Sequence, residues 1–233
     1  MTKIIAANFK TNHTRKSTEE YIQSLDKKLL PSDKVYIFPT PIALCENNFK
    51  HLNIGTQNAY PIFNGAFTGE IGLQALKELN IKTILIGHSE RRNILKESQE
   101  FCAEKFNFFM KEEFEIIYCV GESLCVREKG FEDVKKFIQT QFENIPIKYP
   151  KLIVAYEPIW AIGSGMSASL EQISQTHCFI KSICDAPVLY GGSVNAKNAS
   201  EILNTKEVDG VLVGSASLDM ESFYEIIKKA REK

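Results

Sequence analysis

Short, continuous apolar runs recur along this chain, and nearly every one ends in polar residues or glycine. They are Ile4–Phe9, Val35–Phe38, Ile54–Asn58, Thr83–Gly87, Glu115–Val120, Leu152–Tyr156, Pro187–Tyr190 and Gly210–Val213. Each has the length of a strand, and none keeps a strict apolar–polar alternation. Strands of that kind have both faces covered, as in a parallel sheet. Helical periods fill the gaps. Ser17–Leu30 opens with Ser/Thr then Glu, a capping signature. Glu100–Glu112 sets Phe101, Lys105, Phe108 and Phe109 on one side, and Phe131–Phe142 repeats apolar residues at 131, 134, 137, 138 and 142. Ser169–Cys184 starts with Ser-x-Glu and carries Ile173, Thr176, Ile180 and Ile183; Asn195–Leu203 and Asp219–Ala230 complete the set.

Eight strands, each followed by a helix, leave two architectures: a closed barrel or an open doubly wound sheet. The length of 233 residues suits the closed form, for which about 250 is typical. No G-x-G-x-x-G follows the first run, which weighs against a dinucleotide-binding sheet. The expectation is an α/β fold, a closed eight-stranded parallel (β/α)8 barrel, with residues 1–233 as a single domain. Its composition, 44% apolar and 24% charged, is ample for one core.

A net charge of −1 offers no pull toward nucleic acid or an anionic membrane surface. No apolar run approaches the roughly 20 residues of a membrane span. The opening "MTKIIAANFK" reaches Asn8 and Lys10 too soon for a secretory signal. The six cysteines form no C-x-x-C pair and lack paired histidines at metal-ligand spacing. Free thiols in a reducing cytoplasm, with no metal site, are expected.

The polar strand ends carry the functional signal. Asn8 and Lys10 follow the first run, Gln57 and Asn58 the third, and His88, Ser89 and Glu90 the fourth. Gly121 and Glu122 follow the fifth, Glu157 the sixth, Gly191, Gly192 and Ser193 the seventh, Gly214 and Ser215 the eighth. In a barrel all of them surface on the C-terminal rim, where active sites of this architecture sit. Glu157 precedes Pro158, with Trp160 and Ile162 able to cover it. A carboxylate under an apolar cover has its charged form disfavoured, so its pKa should rise, which suits a general base. His88 precedes what reads as a helical first turn, whose positive end should lower the imidazole pKa and keep the ring neutral. Lys10 could stabilise a developing oxyanion. "YGGSV" (190–194) and "VGSAS" (213–217) are glycine-bearing loops after the last two strands, a place where backbone amides bind phosphate. Gly163 could add an amide when the segment beside Glu157 closes.

Taken one at a time these residues have ordinary readings: a solvated glutamate, a hydrogen-bonded core histidine, a surface lysine, two βα turns. Together they describe one task. A phosphorylated substrate is anchored, and a proton is taken from a carbon next to a carbonyl. No redox cofactor or metal is implied.

The motifs "ANFK" (7–10), "QNAY" (57–60), "NGAFTGE" (64–70), "IGHSERR" (86–92), "YCVGE" (118–122), "AYEPIWAIGSG" (155–165), "YGGSV" and "VGSASL" (213–218) occur in this order. With them the chain resembles the triosephosphate isomerase family along essentially its whole length. A glutamate base, a neutral histidine and a closing loop are the standard illustration drawn from this same family. The resemblance implies that Glu157 moves a proton between two carbons of a triose phosphate, that neutral His88 polarises the carbonyl, and that Asn8 and Lys10 bind substrate. It implies that Gly163, Ser193, Gly214 and Ser215 hold the phosphate, with Glu90 and Cys119 in supporting positions. It also implies a homodimer through the Gln57–Glu70 loop, with Tyr60, Pro61, Ile62 and Phe63 near the tip and Thr68 near the partner's site. The chain departs from the family pattern at Phe9, Thr11, Met166, Ser167 and Ser215. Serine at 215 would be strained if φ there were positive. Two other readings remain at this stage: another isomerase or aldolase on a phosphate-binding barrel, and an inactive barrel that serves as a binding protein.

Overall fold

The computed structural model describes residues 2–162 and 166–232. Its strands are β1 (Ile4–Asn8), β2 (Lys34–Phe38), β3 (Leu52–Ile54), β4 (Thr83–Ile86), β5 (Glu115–Val120), β6 (Leu152–Tyr156), β7 (Val188–Tyr190) and β8 (Gly210–Val213). They pair in the order β3-β2-β1-β8-β7-β6-β5-β4, and every pairing is parallel. The ring closes between β3 and β4 through one bridge at Thr56. Its N–H donates to Thr83 O at 2.9 Å, and its carbonyl accepts from Leu85 N at 3.0 Å. Closure is therefore nearly complete. The third strand is earlier and shorter than the expected Ile54–Asn58: its pairing with β2 ends at Ile54, and Thr56 bridges to β4 instead. Gly55 between them packs on Phe38, where a Cβ would lie 2.2 Å from the ring.

Alternation along β1 shows how the barrel fills. Ile4 and Ala6 point into a core with Tyr36, Phe38, Leu85, Ile117, Cys119, Ile153, Ala155, Leu189 and Leu212. Ile5 and Ala7 point outward into the larger core between strands and helices. Both sets are apolar, so the runs read as continuous, and the interior is packed rather than open. Gly210 lets β8 approach β1: a Cβ on it would stand 1.9 Å from Ile4 O.

The helices are α1 (Arg15–Asp26), α2 (Leu73–Glu78), α3 (Ser89–Asn93), α4 (Gln99–Lys111), α5 (Leu124–Arg127), α6 (Phe131–Thr140), α7 (Leu170–Ile183), α8 (Ala199–Asn204) and α9 (Met220–Arg231). The first starts earlier than expected because Thr14, not Ser17, is the cap. Thr14 and Ser17 form a reciprocal capping box, as Ser169 and Gln172 do for α7; removing such a cap costs about 1 kcal/mol. On α4 the buried face is Cys102, Ala103, Lys105, Phe106 and Phe109; Phe101 and Phe108 flank it. On α7, His177 is buried with Ile173, Thr176 and Ile180. Among the described residues no α-helix follows β2. That connection carries one 3-10 turn, Pro41–Ala43, whose Pro41 at the start has no N–H to donate. The rule of a helix after every strand fails there. Among the described residues no helix is long and apolar enough to cross a membrane, and no group of His, Cys, Asp and Glu is placed to hold a metal.

Candidate active site

The C-terminal ends of the strands enclose a cavity of about 300 Å³. Its lining includes Asn8, Lys10, His88, Glu157, Ser193, Gly214 and Ser215, together with Ile162, Gly191, Gly192, Val194, Asn195, Leu212 and Ala216. Every candidate site residue but one is thus brought together from five strands. The exception, Gly163, lies outside the described residues.

Glu157 leaves β6 at a point fixed on both sides. Its N–H donates to Val120 O at 2.7 Å, and on the other flank Gly191 N donates to Tyr156 O at 2.7 Å. Gly121 lies flat against it: a Cβ there would be 1.8 Å from Glu157 O, so no other residue fits. The carboxylate is 2% exposed and points at the end of β4. One oxygen lies 2.9 Å from His88 Nε2, and the other accepts the Ser89 N–H at 2.8 Å.

This pairing reverses the expected pKa of Glu157. Burial pushes its carboxyl up, but His88 and the Ser89 N–H outweigh burial and hold it below the ordinary carboxylate range. His88 is reversed as well. Burial lowers it, yet the neighbouring Glu157 charge and hydrogen bond raise it above the usual imidazole value. The expectation counted burial and a helix terminus and could not count a partner contributed by a different strand. The expected protonation pattern still has geometric support. His88 caps α3, and its Nδ1 accepts the Glu90 N–H at 3.2 Å. A nitrogen with a lone pair to give is unprotonated, so the ring proton sits on Nε2, facing Glu157 and the cavity.

Lys10 is set by backbone strain. Its φ is +52°, in the left-handed region, which costs a residue with a Cβ about 1–2 kcal/mol. Its N–H is held by Asn8 Oδ1 at 3.0 Å and its carbonyl by Gln57 Nε2 at 2.8 Å. The ammonium meets Glu90 at 2.5 Å. In the sequence Gln57 is a polar strand end and the start of the Gln57–Glu70 loop; its clamp on Lys10 is visible only in the fold.

Beside Lys10, Gly214 leads into a 3-10 turn, Ser215–Ser217; a Cβ on Gly214 would stand 3.9 Å from the Lys10 ammonium. The amides that open such a turn have no partner within it. Ser215 is not among the residues with positive φ, so the strain considered for it is absent. The Ser193 hydroxyl donates to Ala161 O at 2.6 Å, tying the β7 loop to the short turn Ile159–Ala161 after Glu157. Trp160 in that turn donates its indole N–H to Glu122 Oε1 at 3.0 Å, and Ile162 reaches the cavity wall. Leu212, an inward apolar residue of β8, also lines the cavity; nothing in its local sequence marks it.

The cavity thus holds a carboxylate and an imidazole N–H, with the Lys10 ammonium beside the loop that opens at Gly214. That arrangement fits a small, anionic, carbonyl-bearing molecule. A family model described as "Triosephosphate isomerase" matches residues 3–230. The chain is 55% identical over 231 residues to a triosephosphate isomerase of Helicobacter pylori strain Shi470, covering 97% of this chain and 99% of that one. It is 55% identical over 230 residues to that of Wolinella succinogenes, with the same coverages. It is 56% identical over 227 residues to that of Sulfurovum sp. strain NBC37-1, covering 96% and 99%. Likeness of that extent, with the rim residues gathered in one cavity, places the chain in the triosephosphate isomerase family.

Proposed function

We infer that this enzyme interconverts dihydroxyacetone phosphate and D-glyceraldehyde 3-phosphate through an enediolate. The observation that carries the reading is the Glu157–His88 contact of 2.9 Å in a cavity that Lys10, Ser193, Gly214 and Ser215 also line. Glu157 leaves His88 and Ser89 to take a proton from the carbon beside the carbonyl. The C–H electron pair becomes the enediolate double bond, and the carbonyl π pair moves onto oxygen. There the His88 Nε2–H and the Lys10 ammonium stabilise the charge as it forms. His88 passes the hydroxyl proton from one enediolate oxygen to the other; as the newly bared oxygen re-forms a carbonyl, Glu157 returns its proton to the neighbouring carbon. Pairing keeps the carboxylate ionised before substrate arrives; losing that pairing under an apolar cover makes it more basic. Asn8 orients the substrate, and the amides of Ser193, Gly214 and Ser215, with Gly163, hold the phosphate. A Schiff-base aldolase would need a lysine free to attack, whereas Lys10, the lysine lining this cavity, is engaged by Glu90. A coupled assay on the purified protein tests the reading. Interconversion of the two triose phosphates is expected, and its absence would leave the binding-protein alternative.

The same reading includes a cytoplasmic homodimer built on a single barrel domain. Six free cysteines suit a reducing compartment. In the 57–70 loop Phe63 is 51% and Phe67 38% exposed, while Tyr60 stacks on Phe67 at 4.2 Å. The exposed stretch of the loop is therefore 63–70, with Tyr60, Pro61 and Ile62 partly covered. Ile42 after β2, and Ile94 and Leu95 after β4, are exposed by 81%, 70% and 59%. These segments follow neighbouring strands and so occupy one sector, an apolar extent typical of an interface. Sedimentation should give a dimer; a fully active monomer at low concentration would contradict it.

A further inference from the structure

Behind the Glu157–His88 pair lies a set of buried hydrogen bonds that the chemistry above does not use. Its centre is Gln141, which follows α6 as its C-terminal cap. The Gln141 amide grips the main chain of Gly121 twice: Gly121 N donates to Oε1 at 2.8 Å, and Nε2 donates to Gly121 O at 3.1 Å. Gly121 is the residue on which Glu157 rests. From its other side, the Gln141 carbonyl accepts the Tyr118 hydroxyl at 2.5 Å and Gln99 Nε2 at 2.9 Å. Both of these meet Arg92, which donates to Gln99 Oε1 at 2.9 Å and to the Tyr118 hydroxyl at 2.8 Å. Arg92 Nε in turn holds Gly87 O at 2.7 Å. Gly87, at φ +76°, is the turn that delivers His88.

The path therefore runs from the residue before His88 to the residue beneath Glu157, and the contact between the two side chains closes it into a ring. Strand pairing between β4, β5 and β6 sets the coarse spacing of the two groups. The ring adds a side-chain connection at the very ends, beside the last backbone bonds from Glu157 N to Val120 O and from Ile159 N to Glu122 O. Proton transfer is sensitive to small displacements, and a shift of about 1 Å can cost 10²-fold in rate.

We propose that Gln141 is a positioning residue for isomerisation: through its paired bonds to Gly121 it holds the Glu157 backbone in register with His88. It touches neither substrate nor phosphate, so its loss acts on turnover and leaves binding intact. The proposal rests on the isomerase reading above.

The test compares wild type with Gln141→Leu and Gln141→Glu. Gln141→Leu keeps the volume and removes both bonds; kcat is expected to fall about 10-fold, with KM and inhibition by inorganic phosphate unchanged. Gln141→Glu, when protonated, offers an acceptor and a donor as glutamine does. Its kcat relative to wild type should therefore rise as the pH is lowered from 8 to 6. In both variants the ¹⁵N NMR titration of the His88 ring is recorded as well, because it reads the proximity of Glu157 whether or not the enzyme turns over. A shifted midpoint is expected in Gln141→Leu. Should that variant fail to fold, Gln141→Glu alone carries both readouts. Turnover within twofold of wild type, with an unshifted His88 titration, would overturn the proposal even if the melting temperature fell. A wild-type protein without isomerase activity would sink the functional reading instead, and the His88 titration would still decide the geometry.

Discussion

Two buried carboxylates stand at neighbouring strand ends and are held in opposite ways. Glu122, after β5, is fully buried and receives Arg127 at 2.7 Å, the Tyr156 hydroxyl at 3.1 Å and the Trp160 indole at 3.0 Å. Glu157, after β6, receives the His88 imidazole and one backbone N–H. Arg127 keeps its proton at any ordinary pH. His88 can lose or gain one. A carboxylate tied to a permanent cation and two ring donors is a fixed part of the frame. A carboxylate tied to a titratable ring can let go of it and take a proton. Burial alone would not have separated the two; the partners do.

Substitution at both sites is the sharpest way to break the comparison. Glu157→Gln keeps the shape and can still accept from Ser89. It should fold with a near-native melting temperature and lose at least roughly 10²–10⁴-fold in kcat, the range expected for a general base. Steady-state kinetics on the pure variant check this, and near-wild-type turnover would remove Glu157 from its role. Glu122→Gln should show the reverse balance. It leaves the Arg127 guanidinium beside a neutral amide, and breaking a buried pair costs about 3–5 kcal/mol. Denaturant unfolding should register that loss, while the fall in kcat stays well short of that in Glu157→Gln.

A third paired carboxylate, in the loop between α3 and α4, sharpens the rule. Glu97 is paired with Lys105 at 2.5 Å and Arg91 at 2.6 Å. Burial pushes its carboxyl up, but the hydrogen bonds from Arg91 and Lys105 outweigh burial and hold it down. By its partners it belongs with Glu122, so Glu97→Gln is expected to lower stability and to leave the pH dependence of kcat unchanged.

A smaller effect concerns a buried titratable group away from the cavity. His177 on α7 packs against the Tyr156 and Tyr190 rings, and burial takes its pKa down to about 4. The unfolded chain binds that proton near the ordinary value of 6.5 and the folded one does not. Stability from this site is therefore complete above about pH 6.5 and declines as the pH falls toward 4, by roughly 3 kcal/mol in total. His177→Phe should flatten that part of the stability profile. An unchanged acid limb in urea titrations would count against it.

Much of this was legible in the sequence where the cause was local. The limits of β5, β6 and β8 follow from apolar runs bounded by polar or glycine residues, and the rim residues follow from what stands at strand ends. Long-range causes were not legible. The third strand stops at Ile54 because the chain passes from β2 to bridge β4 at Thr56. Lys105 was placed on the right side of its helix, but its burial depends on Glu97 and Asn58, the latter 47 positions away. The pKa directions of Glu157 and His88 were inverted for the same reason, since Glu157 and Ser89 lie 68 positions apart. Gln141 is an ordinary glutamine at a helix end until Gly121 is seen against its amide.

The central claim is that Glu157, and not a neighbouring carboxylate, moves the carbon-bound proton. The most direct measurement incubates dihydroxyacetone phosphate with each protein in D2O and follows deuterium entering the carbon next to the carbonyl by ¹H NMR. An enediolate reprotonated from an exchangeable carboxyl must acquire solvent deuterium. Wild type and Glu122→Gln should both incorporate it, and Glu157→Gln should do so at least roughly 10²–10⁴-fold more slowly than wild type. Deuterium entering at a near-wild-type rate in Glu157→Gln, with exchange lost in Glu122→Gln, would contradict the account.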